Sequence, residues 1–163
     1  MKSLRRMKIL LVLMVALWGF VGALLNVTDW GRTLGAVGAA TSMATFEGGA
    51  ESWQATSNTA VIWMGALFIL LSKLAAGLLC TLGGLKMWRA RLEKSPQFSA
   101  SKELALVGCA IAVAMLFGGF IVIAESWFEL WRSDLMRDPV LESAFRYAAM
   151  IALIAIFVSS PED

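Results

Sequence analysis

Residues 9–27 read ILLVLMVALWGFVGALLNV, an apolar stretch without a charged side chain. A helix needs about 20 mostly apolar residues to cross the hydrocarbon core of a bilayer. Three further runs of this kind follow along the chain. We therefore predict an all-α, polytopic membrane protein with a single integral membrane domain over residues 1–163. The four expected spans lie at about 9–28, 59–85, 104–126 and 144–160, with an outer loop at 28–58.

The composition agrees with a membrane protein. Of the 163 residues, 59% are hydrophobic, whereas about 45–50% is usual in soluble proteins. Charged residues make up 16%, and the formal net charge of +2 is too small and too scattered to predict a nucleic-acid surface. Membrane lipids are the partner that this composition predicts, and no soluble substrate is evident.

Four basic residues precede the first span and resemble the start of a signal peptide: Lys2, Arg5, Arg6 and Lys8. The apolar stretch that follows them is longer than the roughly 7–15 residues of a typical signal peptide. We therefore expect a retained transmembrane helix.

Lysine and arginine are unevenly distributed between the two ends of the predicted bundle. Nine lie before the first span or between the second and third: Lys2, Arg5, Arg6, Lys8, Lys86, Arg89, Arg91, Lys94 and Lys102. At most four lie at the other end: Arg32, Arg132, Arg137 and Arg146. Because cytoplasmic loops carry the excess of Lys and Arg, both termini are predicted to be cytoplasmic, in the inner membrane of a bacterium.

The two long connections are predicted to carry little structure. Between the second and third spans, Pro96 and the serines from Ser95 to Ser101 predict a plain turn. The outer loop, 28–58, is rich in Gly, Ala, Thr and Ser, so we expect it to be weakly structured by itself.

Histidine is absent from the sequence. This excludes histidine-ligated haem, chlorophyll and zinc, and a histidine general base. The two cysteines, Cys80 and Cys109, lie in apolar runs and are expected to be packed hydrophobic residues rather than a disulfide. We expect no cofactor, no metal and no enzymatic activity.

Lys73 is predicted to lie near the middle of the second span. An ammonium at that depth costs several kcal/mol unless it is paired or reaches water, so it is a functional candidate. In the structural interpretation it bonds backbone carbonyls or a polar group of a neighbouring subunit. The alternative is ion or proton translocation.

A second group of polar residues is predicted at the outer ends of the helices. Its candidate members are Asn26, Asp29, Glu125, Glu129 and Arg146. Such a cluster ties helix ends together through bidentate bonds, or binds a lipid headgroup or a partner.

The segment ESWFELWR, residues 125–132, is predicted to continue the third span as an amphipathic helix. Its face would present Trp127, Phe128, Trp131 and Arg132 to lipid or to another protein, and exposed Trp and Arg dominate many interfaces. We therefore predict an interface there. The seven tryptophans mostly lie near helix ends, which is typical of interfacial anchors. A stacking platform for a ring ligand is the alternative.

Four sequence elements carry a family resemblance: NVTDW at 26–30, SKELALVG from Ser101, WFELWRS at 127–133 and AFRY at 144–147. With the four-helix layout, they resemble a bacterial family of predicted small integral membrane proteins, number 2165 among the domains of unknown function. The resemblance covers nearly the whole chain, and it implies the fold but no known reaction.

The chain departs from the family pattern at polar positions. The resemblance implies a His and an Asp in the first loop, where this chain has Ala and Thr near Met43. It also implies a Glu where Lys73 stands, and another where Ser126 follows Glu125. The chain is therefore interpreted as a divergent member.

The sequence leaves three function classes: an accessory subunit, a transporter or channel, and a membrane enzyme. No catalytic constellation is recognisable, and a transporter of this size would need to form a homo-oligomer. We predict a non-catalytic accessory or structural subunit of a larger bacterial inner-membrane complex, with respiratory and photosynthetic assemblies as the commonest hosts. A homo-oligomeric transporter or channel that uses Lys73 is the alternative.

Overall fold

The structure, a computed structural model, describes residues 2–161, without the side chain of Lys2. Its main helices are α1 (Lys2–Thr28), α2 (Trp30–Ser42), α3 (Thr59–Arg89), α4 (Ser95–Ala100), α5 (Glu103–Val113) and α6 (Ser143–Ser159). A π-helix, Ala114–Trp127, continues α5 directly, and a π-helical turn, Arg137–Glu142, leads into α6.

Four helical stretches within residues 2–161 are long and apolar enough to cross a membrane: Ser3–Thr28, Thr59–Leu92, Ser95–Trp127 and Arg137–Ser159. The prediction of an all-α protein with four transmembrane helices is confirmed. We call the end that carries residues 90–102 and Ser160 the inner end, and the opposite end, with α2, the outer end.

Close packing of the spans depends on small residues on α3. Ala76 and Cys80 are fully buried. A Cβ atom at Gly108 of α5 would lie 2.9 Å from the Cys80 backbone nitrogen, so the two backbones approach closely there. A Cβ atom at Gly19 of α1 would likewise lie 2.7 Å from the Lys73 carbonyl oxygen. Small residues allow such close approach between transmembrane helices. Because α1 and α5 both pack on α3 in this way, α3 is the central helix of the bundle.

The inner end is more ordered than the predicted plain turn. Residues 95–100 form α4, and Phe98 is fully buried beneath Arg5, whose guanidinium lies 4.6 Å from the ring centroid. Arg5 also donates a hydrogen bond of 2.7 Å to the Glu93 carbonyl. The turn prediction was wrong because Phe98 supplies an apolar anchor within the serine-rich stretch.

Two lysines hold the last residues of α6 at the inner end. Lys8 and Lys102 each donate a hydrogen bond of 2.8 Å to the Ser160 carbonyl, and both residues are almost completely buried. A cation is favourable at a helix C-terminus, where carbonyl groups lack helical partners.

The first part of the outer loop is helical, contrary to the prediction that 28–58 is weakly structured. Asp29 caps α2 by accepting a hydrogen bond of 3.1 Å from the Arg32 amide. The helix then packs on α3, where Val37 lies against Gly65. The prediction was wrong because this cap and this packing stabilise a helix whose composition alone is ambiguous.

The segment 125–132 is not a continued helix. The π-helix ends at Trp127, and Glu129 adopts a left-handed conformation with φ of 50° before a 3₁₀ turn, Leu130–Arg132. Phe128 is only 8% exposed and points into the protein, whereas Trp127 and Trp131 are 51% and 53% exposed. The predicted common face was wrong because the chain reverses at Glu129 and buries Phe128.

Candidate functional site: a lysine between two cavities

Lys73 lies where α1 and α3 meet in the outer half of the bundle. Its Nζ donates a hydrogen bond of 2.6 Å to Oδ1 of Asn26, near the end of α1. The residue is partly buried, and no carboxylate in residues 2–161 forms an ion pair with it. The ammonium is therefore held by one neutral acceptor, although a lysine has three hydrogens to donate.

Asn26 is oriented by a residue on a third helix. Its Nδ2 donates a hydrogen bond of 2.9 Å to Oγ1 of Thr33, which is buried on α2. Thr33 in turn lies 3.3 Å from the Asn26 carbonyl and donates to it. This network joins α1, α2 and α3, and it fixes the amide so that its oxygen faces Lys73.

A cavity of about 480 Å³ adjoins this network beneath α2. Its polar lining residues are Asn26, Thr33, Thr41 and Lys73, and its other walls are apolar or glycine. Ligand-binding cavities commonly have about 300–1,000 Å³ and a few convergent polar groups on an apolar surface. The cavity therefore has the size and the polarity of a ligand site.

Two glycines and the π-helix form part of the cavity wall. Gly65 of α3 and Gly119 of the π-helix both line the cavity without a side chain. π-Helical turns are uncommon and are frequent at functional sites. Here the π-helix supplies Phe120, Ile123 and Ala124 to the same wall.

A second cavity, of about 350 Å³, is lined mainly by residues of α1, the π-helix and α6, together with Lys73. Lys73, Phe120 and Val140 line both cavities. Trp18 and Tyr147 line the second one, with ring centroids 5.9 Å apart. Lys73 is thus the charged group at the boundary between the two spaces.

The outer end also carries an exposed aromatic surface, made of Trp53, Trp127 and Trp131. Trp53 is 83% exposed, and its ring meets that of Trp127 edge to face at 5.3 Å. Arg132 supports the neighbouring turn, since it pairs with Glu129 at 2.7 Å and donates to the Glu47 carbonyl at 3.2 Å. Two outer segments that are distant in sequence are thereby held together.

The structure does not bring the five predicted outer polar residues into one cluster. Asn26 joins Lys73, Asp29 pairs with Arg32 at 2.9 Å, and Glu129 pairs with Arg132. Neither the Glu125 side chain nor the Arg146 side chain has a hydrogen bond or ion pair with any residue from 2 to 161, and Arg146 is exposed on α6. The set is therefore three separate local contacts and two solitary residues.

Sequence reasoning missed Thr33, Phe120 and Gly119, which shape the site. The Asn26–Thr33 hydrogen bond joins residues seven positions apart, on α1 and α2. The sequence could have indicated it only if α2 had been predicted. Cys80 and Cys109 are free and buried, and their Sγ atoms lie 4.0 Å apart. This agrees with the prediction that they are packed side chains.

A family model described as a predicted small integral membrane protein matches residues 4–161. Neither the curated proteins nor the solved structures include a significant match to this chain.

Proposed function

We propose that this chain, which belongs to the family of predicted small integral membrane proteins numbered 2165 among the domains of unknown function, is a non-catalytic accessory subunit of a larger bacterial inner-membrane complex. The bundle would contribute a stable scaffold, and its outer end would contact a partner membrane protein. The description of the family names no activity.

The exposed aromatic surface at the outer end is the observation that carries this proposal. Trp53, Trp127 and Trp131 are all more than half exposed. Trp is enriched at interface positions that dominate binding energy. Trp53 and Trp127 already contact each other, and Arg132 holds the adjoining turn. These side chains are therefore ordered before a partner binds, so binding would cost them little additional conformational entropy.

A second candidate function is a small homo-oligomeric transporter or channel that uses Lys73. It is supported by the position of this residue, which lines both cavities. An ammonium that borders both cavities is placed to bind an anion or to transfer a proton on a path between them, which a purely structural role would not require.

Affinity purification in a mild detergent, followed by mass spectrometry, distinguishes the two candidates. We expect a larger membrane protein to co-purify in a fixed stoichiometry. An unrelated four-helix membrane protein with the same tag provides the control. Recovery of this chain alone, as a homo-oligomer, would contradict the subunit proposal and favour transport.

A further inference from the structure

We propose that the cavity beneath α2 binds a single-chain amphiphile whose anionic oxygen head contacts Lys73 and whose hydrocarbon chain occupies the apolar part. The head chemistry is that of a carboxylate or a phosphate monoester. This site does not depend on the proposed subunit role, because its charged end at Lys73 lies inside the bundle and none of the three exposed tryptophans lines the cavity.

The charge of Lys73 is the first step of the argument. Asn26 is a neutral acceptor, and it is the hydrogen-bond partner of the Nζ among residues 2–161. A cation inside a membrane span is costly unless an opposite charge or water compensates it. An oxygen anion at the Lys73 end of the cavity would supply that charge and accept the remaining hydrogens.

The remaining walls of the cavity suit a hydrocarbon chain. Around the polar end, the lining is formed by aliphatic and aromatic side chains such as Val37, Val61, Phe68, Ile69 and Ile123. An inorganic anion alone would leave this apolar space unfilled. A two-chain phospholipid exceeds a cavity of about 480 Å³, whereas a single chain suits it.

Three residues of the cavity wall are also exposed on the outside of the bundle. Met64, Phe68 and Ile123 line the cavity and are also 62%, 47% and 50% exposed. All three lie within the spans Thr59–Leu92 and Ser95–Trp127, so their exposed atoms face lipid. A ligand can therefore enter sideways between α3 and the π-helix, from a membrane in which an amphiphile is already concentrated.

Binding of radiolabelled oleate to the full-length protein, purified and delipidated in detergent, tests the proposal in a scintillation proximity assay. We expect saturable binding near one oleate per chain. Unlabelled oleyl phosphate tests the other head chemistry, and its stronger competition would identify a phosphate head. Acetate and inorganic phosphate, which lack the chain, should not compete. Methyl oleate, which lacks the negative charge, should compete at least tenfold more weakly than oleate.

Variants of the cationic end provide the second measurement. Lys73→Met should weaken oleate binding at least tenfold, whereas Lys73→Arg, which retains the charge, should preserve most of it. Lys86→Met is the matched control, because Lys86 is exposed near the end of the same helix. It should bind oleate as the unchanged protein does.

Two cavity-filling variants keep the test decisive if Lys73→Met fails to fold. Ala124 lines the first cavity and Ala144 lines the second. Ala124→Leu should weaken oleate binding at least tenfold, and Ala144→Leu should leave it unchanged. The proposal is overturned if the unchanged protein binds no oleate saturably, if methyl oleate competes equally, if folded Lys73→Met or Ala124→Leu binds normally, or if only Ala144→Leu loses binding.

Discussion

Lys73 Nζ and Asn26 Oδ1 lie 2.6 Å apart, which joins the middle of α3 to the outer end of α1. The contact places a charged group at membrane depth between two cavities. Since Asn26 is itself held by Thr33 of α2, any change at Lys73 acts on three helices at once. The first prediction concerns this contact.

Lys73→Met should leave the protein inserted and at least as stable to thermal unfolding as the unchanged protein. Removal of a poorly paired charge from an apolar region is often neutral or stabilising when the replacement packs well. Size-exclusion chromatography and the midpoint of thermal unfolding, both in detergent, measure the effect. A loss of more than about 2 kcal/mol, the range of a broken buried polar contact, would show that the ammonium stabilises the fold.

Gly108→Ala should destabilise the bundle by about 1–3 kcal/mol, the usual cost of overpacking. The new Cβ would lie 2.9 Å from the Cys80 backbone nitrogen and 3.1 Å from the Ala76 carbonyl oxygen, so α3 and α5 must move apart. Gly118→Ala is the matched control in the same span, because nothing lies within 4 Å of its Cβ position. Equal unfolding midpoints for the two variants would refute the close packing of α3 and α5.

Lys8→Met and Lys102→Met should each cost about 1–3 kcal/mol, since each removes a buried charge-assisted hydrogen bond to the Ser160 carbonyl. Because both lysines donate to the same oxygen, the double variant should lose more than the sum of the single losses. Thermal unfolding of the four proteins completes the cycle. Strictly additive losses would mean that the two lysines do not share their acceptor.

Reporter fusions at Ser95 and at Asp163, which lies outside the described residues, should both report the cytoplasm. A fusion at Gly48 should report the opposite side. The expectation follows from the excess of Lys and Arg near the inner end. An external Ser95 would refute this orientation.

The transmembrane helices were predictable because a span must be both long and apolar, and few other sequences meet that demand. That Lys73 is a functional candidate was also predictable, because a charged residue inside a long apolar run is rare and costly. Its partner was not, because the contact with Asn26 depends on where α1 crosses α3. The sequence carries no local signal for that crossing.

The outer end was predicted less well. The stretch from Glu125 to Arg132 consists of residues that a helix accepts, so nothing local indicates the left-handed conformation of Glu129. The reversal buries Phe128 in the wall of the first cavity, and this stabilising contact is a tertiary effect. Likewise, α2 depends on its packing against α3 as much as on its cap at Asp29.

The interface at Trp127, Phe128, Trp131 and Arg132 stays a prediction, and the structure limits it to the residues that are exposed. Phe128 is excluded from direct contact because it points inward, and Trp53 takes its place beside Trp127. A docking surface built this way depends on two separate loops. Replacement of Trp53, or of Trp127 and Trp131, should therefore weaken docking.

Native gel migration of the solubilised complex tests the central claim, that the chain docks to a partner through its outer aromatic surface. The double variant Trp127→Ala and Trp131→Ala removes two exposed aromatic groups, and a tryptophan at a binding hot spot costs about 2 kcal/mol or more when it is truncated. Trp88→Ala is the control, since Trp88 is exposed at the inner end. We predict that the double variant inserts normally but migrates free of the complex, whereas Trp88→Ala stays bound. A double variant that migrates with the intact complex would contradict the claim.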